Sequence, residues 1–218
     1  MTYESIRDNP TIRTYIKHAD ETLAVLGYTE HSFAHVTAVA EMAGYILQRL
    51  GYDARMVELA KIAGFLHDIG NLVNRVEHSQ SGAVMAFRML DQMGFPPEEI
   101  ALITSAIGNH DEGTGVPVSP IAAALILADK SDVRRSRVRN IDPASYDIHD
   151  RVNYSVTKAE LKIDDEKETI RLRLRIDTHL GSVMDYFEIF IERMILCRKA
   201  AEKLGLQFRL IINEQALL

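Results

Sequence analysis

Four histidines and two aspartates carry the chemistry this chain is equipped for. His67 and Asp68 are adjacent, His35 lies upstream, His78 and His110 lie downstream, and Asp129 closes the series. Imidazole nitrogens combined with carboxylate oxygens suit a divalent transition metal. One histidine on an apolar helix face is ordinarily a packed core residue. A carboxylate there is different, because aspartate is rarely buried unless it is paired or bound to metal. Asp68 and Asp129 both adjoin apolar stripes, and the histidines fall beside them.

The elements that must position these residues read as successive helices. Asn9-Pro10 reads as a cap and a first helical residue, with Ile12, Ile16, Ala19, Leu23 and Leu26 at helical spacing and a stop at Gly27. A second helix is predicted from near Ser32 to Leu50, and a third from the Asp53 cap to His67. After His78 a further helix carries Val84, Phe87, Met89 and Leu90 and ends near Gly94. Pro96-Pro97-Glu98-Glu99 opens the next, whose stripe of Ile100, Ile103 and Ile107 puts His110 on the same face. Ser119-Pro120 opens another, with Leu125 four residues before Asp129.

The pattern changes after about Ile141. Ile170 to Ile176 alternates strictly between apolar residues and arginine, the signature of a half-buried strand, and Leu161 and Ile163 alternate before it. Asp164-Asp165-Glu166-Lys167 is a polar connection, so a β-hairpin is predicted. Ser182 and Asp185 form a capping box for a long helix that Gly205 stops, and Phe208, Leu210 and Ile212 alternate as a last strand. The expected class is mainly α, with a small C-terminal α+β unit of hairpin, long helix and final strand. The expected division is 1–140 and 141–218.

The chain has 218 residues, 47% hydrophobic and 26% charged, enough for one sizeable core. Its formal charge of −6 argues against general nucleic-acid binding. The single cysteine, Cys197, excludes an internal disulfide and a cysteine-based zinc site, and its apolar helical setting places it in the core. The N-terminus lacks the apolar stretch of a signal peptide, and no apolar run approaches the roughly 20 residues of a membrane span. A soluble cytoplasmic protein with no membrane partner is the expectation.

The ordered ligand set resembles the HD-domain superfamily of metal-dependent phosphohydrolases. His35-Val36-Thr37-Ala38-Val39-Ala40 looks like the family's first motif, His67-Asp68-Ile69-Gly70 like its central one, and Ala128-Asp129-Lys130 like its closing aspartate. His78, within Glu77 to Ala83, and His110, within Gly108 to Glu112, resemble two further histidines found in a subset of the family. The likeness spans roughly residues 20 to 140. It implies a helical bundle with two metals, one held by His35, His67, Asp68 and Asp129, the other by His78 and His110 with Asp68 as the bridge. Such a pair can carry a bridging hydroxide and clamp phosphoryl oxygens. The implied activity is cleavage of a phosphomonoester or phosphodiester of a nucleotide or related small phosphorylated molecule. Mixed nitrogen and oxygen ligands suit iron, manganese, zinc or cobalt.

Asp68 is therefore expected to matter most for catalysis. His31, four residues before His35, is a second candidate, with a place at the pocket rim as the alternative. Lys130 and the arginines after it, Arg134 and Arg135 first, are candidates for phosphate contact, although such a run is more often a solvated face. Many family members carry lysine where this chain has Asn71, which can offer a substrate a neutral hydrogen bond but no charge. Asp111 and Glu112 are candidates to orient the His110 ring. His18, His149 and His179 match no motif and are expected at the surface or in packing. Arg171, Arg173 and Arg175 are expected on the wet face of the sheet. The same ligands also serve di-iron oxygenases of the superfamily, and a metal-stabilised ligand sensor or interaction module is the third reading. For the C-terminal unit a plain structural extension is expected first, ahead of a cap on the pocket, a homodimer contact or an effector site.

Overall fold

The computed structural model describes residues 1–217, the side chain of Pro143 excepted. Among these, nine α-helices and four strands follow one another as α1 (Tyr3–Arg7), α2 (Pro10–Val25), α3 (Phe33–Arg49), α4 (Ala54–Leu66), α5 (His78–Gln92), α6 (Pro97–Gly108), α7 (Pro120–Ser131), α8 (Ile148–Ser155), β1 (Val156–Ile163), β2 (Thr169–Ile176), α9 (Val183–Lys203), β3 (Gln207–Ile212) and β4 (Gln215–Ala216). The mainly helical class with a C-terminal α+β unit is what the periodicity predicts.

The helix starts follow the expected capping chemistry. Asn9 accepts from the backbone N–H of Thr11 and Ile12, Asp53 from Arg55 and Met56, and Ser119 from Ala122. Ser182 and Asp185 close the predicted capping box of α9. Two helices escaped the sequence reading. α1 is a single capped turn, and α8 has too few apolar positions to show a stripe, although Asp147 caps it by accepting from the Asp150 N–H at 2.7 Å.

α7 is the centre of the molecule. The sequence suggested a stripe through Leu125, but every residue from Ile121 to Ala128 is buried. A helix apolar all round must be covered on all sides, and α7 packs against α3, α4, α6 and α9. α3 and α4 approach so closely that a Cβ at Gly64 would stand 2.7 Å from the Ala40 Cα. That approach brings the start of α3, with His35, beside the end of α4, with His67.

The sheet has the order β1-β2-β3-β4. β1 and β2 form the predicted hairpin with Leu161 opposite Leu172, and α9 crosses over to put β3 parallel to β2 with Leu172 beside Leu210. Ile170, Leu172, Leu174 and Ile176 face the core, while Arg171 pairs with Asp164 at 3.2 Å on the other face. Arg49 at the end of α3 ties the hairpin turn to the bundle through Asp165 at 2.6 Å. Among the described residues no helix is long and apolar enough to cross a membrane.

Cys197 is fully buried on the inner face of α9, and burial pushes its thiol up to about 12. Only the thiolate reacts with a disulfide reagent. The native protein should therefore leave Ellman's reagent unreacted at pH 8, and denaturation should release one thiol per chain; rapid reaction of the native protein would contradict this packing.

Candidate metal centre

Helix ends converge on one point. His35 lies in the first turn of α3, His67 caps the C-terminus of α4, Asp68 leads into a 3-10 turn (Ile69–Leu72), His78 opens α5, His110 follows the end of α6, and Asp129 is in the last turn of α7. Three of these ends are C-termini, whose partial negative charge favours a cation. Two backbone devices set the approach. Glu77 adopts the left-handed region (φ 55°), turning the chain so that α5 starts at His78. Gly70 packs directly against the start of α5, where a Cβ would stand 2.0 Å from the His78 carbonyl oxygen and 2.4 Å from the Gly82 nitrogen.

The hydrogen bonds fix the state of each imidazole. His67 Nδ1 donates to the Gly64 carbonyl at 2.8 Å, His78 Nδ1 to the Arg75 carbonyl at 3.1 Å and His110 Nδ1 to the Ile107 carbonyl at 2.6 Å. A carbonyl only accepts, so Nδ1 carries the proton in each ring. His35 Nδ1 donates likewise to Asp132 Oδ2 at 2.7 Å. All four Nε2 atoms are thereby left to face inward. Those of His35 and His67 are 3.3 Å apart, and those of His78 and His110 are 3.2 Å apart.

Carboxylates complete the cluster. Asp129 Oδ1 lies 3.4 Å from His35 Nε2 and 3.6 Å from His67 Nε2. Asp68 presents Oδ2 to His67 and His35 at 3.2 and 3.5 Å, and Oδ1 to His78 at 3.4 Å. Asp68 Oδ2 is buried and accepts no hydrogen bond. Lone pairs facing one another in a buried site repel unless a cation lies between them. Ligand atoms about 2.1 Å from one ion at tetrahedral angles lie roughly 3.4 Å apart, which matches this spacing. The donor set therefore fits a divalent metal. Without one, burial pulls the His67 imidazole down, but Asp68 and Asp129 outweigh it and push it up to about 10, so a proton meets the same demand.

Counter-charges surround the ligands. Lys130 is buried with Nζ 2.8 Å from Asp129 Oδ2 and 3.0 Å from Glu112 Oε2, and Arg193 on α9 pairs with the other oxygen of Glu112. Asn71 is fully buried beneath Asp68, its amide donating to the Asp68 carbonyl at 2.9 Å and to Oδ1 at 3.0 Å. His31 precedes α3 rather than sharing its face. Its Nδ1 donates to the Thr29 carbonyl at 2.7 Å, and its ring meets that of His35 edge-on at 5.4 Å between centroids. Burial and Arg137 hold His31 well below the ordinary imidazole pKa, so it is neutral.

The structure thus brings His35, His67, Asp68, His78, His110 and Asp129 together, with His31, Lys130 and Asn71 adjoining. It does not bring Arg134 and Arg135 to the same place. Arg134 bonds Asp132 at 2.8 Å, Arg135 donates to the Tyr154 carbonyl at 2.6 Å, and both line a separate cavity of about 400 Å³. The His110 ring is oriented by Ile107, while Asp111 and Glu112 face Lys130 instead, at 3.9 and 3.0 Å.

Sequence reasoning missed three participants. Asp132 orients His35, and its signal was the carboxylate three residues after Asp129. Arg75 places Nη1 3.3 Å from His78 Nε2 and 3.9 Å from Asp68 Oδ1. Arg193 arrives from a helix with no motif. Arg75, Arg137, Arg193 and His31 line a cavity of about 330 Å³ beside the centre, together with residues of α8 that include His149.

Residues 32–135 match the family model described as HD domain. An uncharacterized protein of Methanocaldococcus jannaschii is 28% identical over 214 residues, covering 87% of this chain and 80% of that protein. Ribonuclease Y of Fervidobacterium nodosum is 32% identical over 122 residues, 55% of this chain and 21% of its own length, so the chain spans about a fifth of that relative. A crystal structure of a predicted HD superfamily hydrolase from an uncultured Thermotogales bacterium aligns with 27% identity and a TM-score of 0.44, covering 60% of this chain and 73% of that one.

Two outcomes follow from this geometry. Gly70→Ala should push α5 away from the 3-10 turn, cost about 2–4 kcal/mol and reduce metal content on titration; a variant with wild-type melting and metal uptake would refute the close approach. Burial alone would raise the Glu112 carboxyl, but Lys130 and Arg193 outweigh it and hold it well below the usual carboxylate range. A folded pKa below the unfolded one gives stability that is full above about 4.3 and lost as pH falls. In chelator-treated protein the stability gap between wild type and Glu112→Gln should therefore be full near neutrality and shrink progressively as pH falls below about 4.3, closing only in strong acid. A gap independent of pH would show that the ion pairs contribute nothing.

Proposed function

Since the chain belongs to the HD superfamily through residues 32–135, we propose that it is a metal-dependent phosphohydrolase acting on a small phosphorylated molecule. The observation that carries this reading is the set of inward Nε2 atoms around Asp68, each imidazole held by a donor bond at Nδ1. One metal would be held by His35, His67, Asp68 and Asp129, and a second would draw on His78 and His110 together with Asp68. A divalent pair supplies Lewis-acid activation of water and charge neutralisation at the phosphoryl oxygens.

The protein's own residues do the rest. Asp68 gives one oxygen to each side, and Asn71 fixes the plane of its carboxylate through the 3.0 Å bond to Oδ1. Lys130 neutralises Asp129 and Glu112, which keeps both ionised in a buried setting. Arg75 lies over the Tyr28 ring, 5.8 Å from its centroid, and with Arg193 offers guanidinium donors to the phosphoryl oxygens from the cavity wall. His31 is neutral with its proton on Nδ1, so Nε2 accepts a proton or hydrogen bond at the rim. The cavity of about 330 Å³ favours a small ester over a polymer, and the net charge of −6 favours neither RNA nor DNA as the general partner.

Elemental analysis of purified protein should give two transition-metal ions per chain, and a phosphoester panel with iron, manganese, zinc or cobalt supplied should release phosphate. Asp68→Ala should lose the metal pair and lower turnover on the order of 1,000-fold, the several kcal/mol that metal activation supplies. Oxygen uptake without phosphate release would replace the hydrolase with an oxygenase. One metal per chain would remove His78 and His110 from the ligand set.

A further inference from the structure

The cavity beside the centre has two chemically distinct parts. One part is cationic and tied to the ligands: Arg75 against Asp68 and His78, Arg193 against Glu112, and Arg137 with its Nη1 donating to the Asp132 carbonyl at 2.8 Å. The other part lies at α8, where Asp147, Asp150 and Asn153 offer acceptors beside the His149 ring. Asp150 and Asn153 are three residues apart, so they share one helix face, and both line the cavity. They are 9% and 6% exposed, a degree of burial at which a carboxylate needs a partner. Among the described residues no lysine or arginine pairs with Asp150; the Asn140 side chain is its one hydrogen-bonding neighbour, which leaves acceptor capacity on the carboxylate. Burial and the neighbouring Asp147 raise its pKa. Asn153 spends its Nδ2 on the His149 carbonyl at 2.9 Å, which leaves Oδ1 to accept.

We propose that α8 is the selectivity element of this pocket, with Asp150 and Asn153 accepting hydrogen bonds from the hydroxyls of a sugar phosphate whose phosphoryl group lies among the arginines. The assignment rests on the phosphohydrolase reading of the adjacent centre. Its logic is one of complementarity. A phosphate is repelled by a carboxylate and an amide oxygen, and is drawn by three guanidinium groups. The part of the ligand that reaches α8 must therefore be neutral and rich in donors. Hydroxyls on adjacent sugar carbons meet this requirement, and an unsubstituted aromatic ring does not. A buried acceptor left without its donor is costly, so α8 rejects esters that lack those hydroxyls more strongly than it rewards those that carry them. Phe190, buried on α9, supports Arg193, whose guanidinium lies over its ring 4.3 Å from the centroid.

The test uses the full chain with its metal and two substrates, ribose 5-phosphate and p-nitrophenyl phosphate. The wild type should prefer ribose 5-phosphate, with the preference residing in KM. Asp150→Asn should lower the ratio of the two kcat/KM values about tenfold or more, and Asn153→Ala should lower it in the same direction. Calorimetry with the phosphonate analogue of ribose 5-phosphate, against methylphosphonate, gives a readout without turnover. Affinity for the sugar phosphonate should fall selectively in both variants. If Asp150→Asn does not fold, as judged by circular dichroism, Asn153→Ala decides alone. Equal preference in the wild type, or equal loss for both ligands in the variants, would overturn the role of α8. Absence of turnover on either ester with selective binding intact would instead defeat the phosphohydrolase reading, so the two failures are distinguishable.

Discussion

Four imidazoles are locked by their Nδ1 protons so that their Nε2 lone pairs meet in a buried space shared with two carboxylates. That arrangement is repulsive in itself and tolerable only around positive charge. Much of the surrounding architecture can be understood as meeting this demand. Helix C-termini point inward, Lys130 neutralises Asp129 from behind, and a further layer of Glu112, Asp132 and Arg193 holds the counter-charges in place. The tautomers are set mostly by backbone carbonyls three residues earlier, so the local helix ends themselves decide which nitrogen is free.

Bringing five helix ends to one point requires unusually close backbone approaches. Gly64 against Ala40 lets α3 and α4 meet, and Gly70 against His78 lets the 3-10 turn touch α5. α7 supplies the rigid axis. It carries small residues, Ala122, Ala123, Ala124 and Ala128, between larger ones, so neighbours pack tightly on every side. Asp129 and Lys130 thus emerge from a helix that is covered on every side, while the residues that face the cavity come from other elements.

Much of this was legible in the sequence because it rests on local signals. Capping residues, proline starts and glycine stops marked α2 to α7, strict alternation marked β2, and the ordered histidines and aspartates marked the centre before any geometry was known. What stayed hidden was nonlocal. α8 has one capping aspartate and little apolar periodicity, so its burial comes from tertiary packing. Arg75 and Arg193 sit in unremarkable surroundings along the chain and become neighbours of the centre only through folding. Asn71 was expected to offer a substrate a neutral hydrogen bond, yet the turn folds its amide back onto Asp68. Arg134 and Arg135 follow Asp129 closely, but the chain leaves α7 at Asp132 and turns them toward a different cavity, with Arg134 behind Asp132.

The ion pair between Glu112 and Arg193 also has a meaning in time. All six converging ligands lie between residues 35 and 129, whereas the wall contributed by α9 is not made until residue 193 has been synthesised. Closing that contact requires a long loop whose entropy must be offset by the packing of the sheet and α9. On a ribosome the ligand cluster can assemble first and stand open on one side, to be enclosed when the last third of the chain docks. The candidate ligands thus come from one continuous stretch of chain, and the chamber wall beside them from a separate, later one.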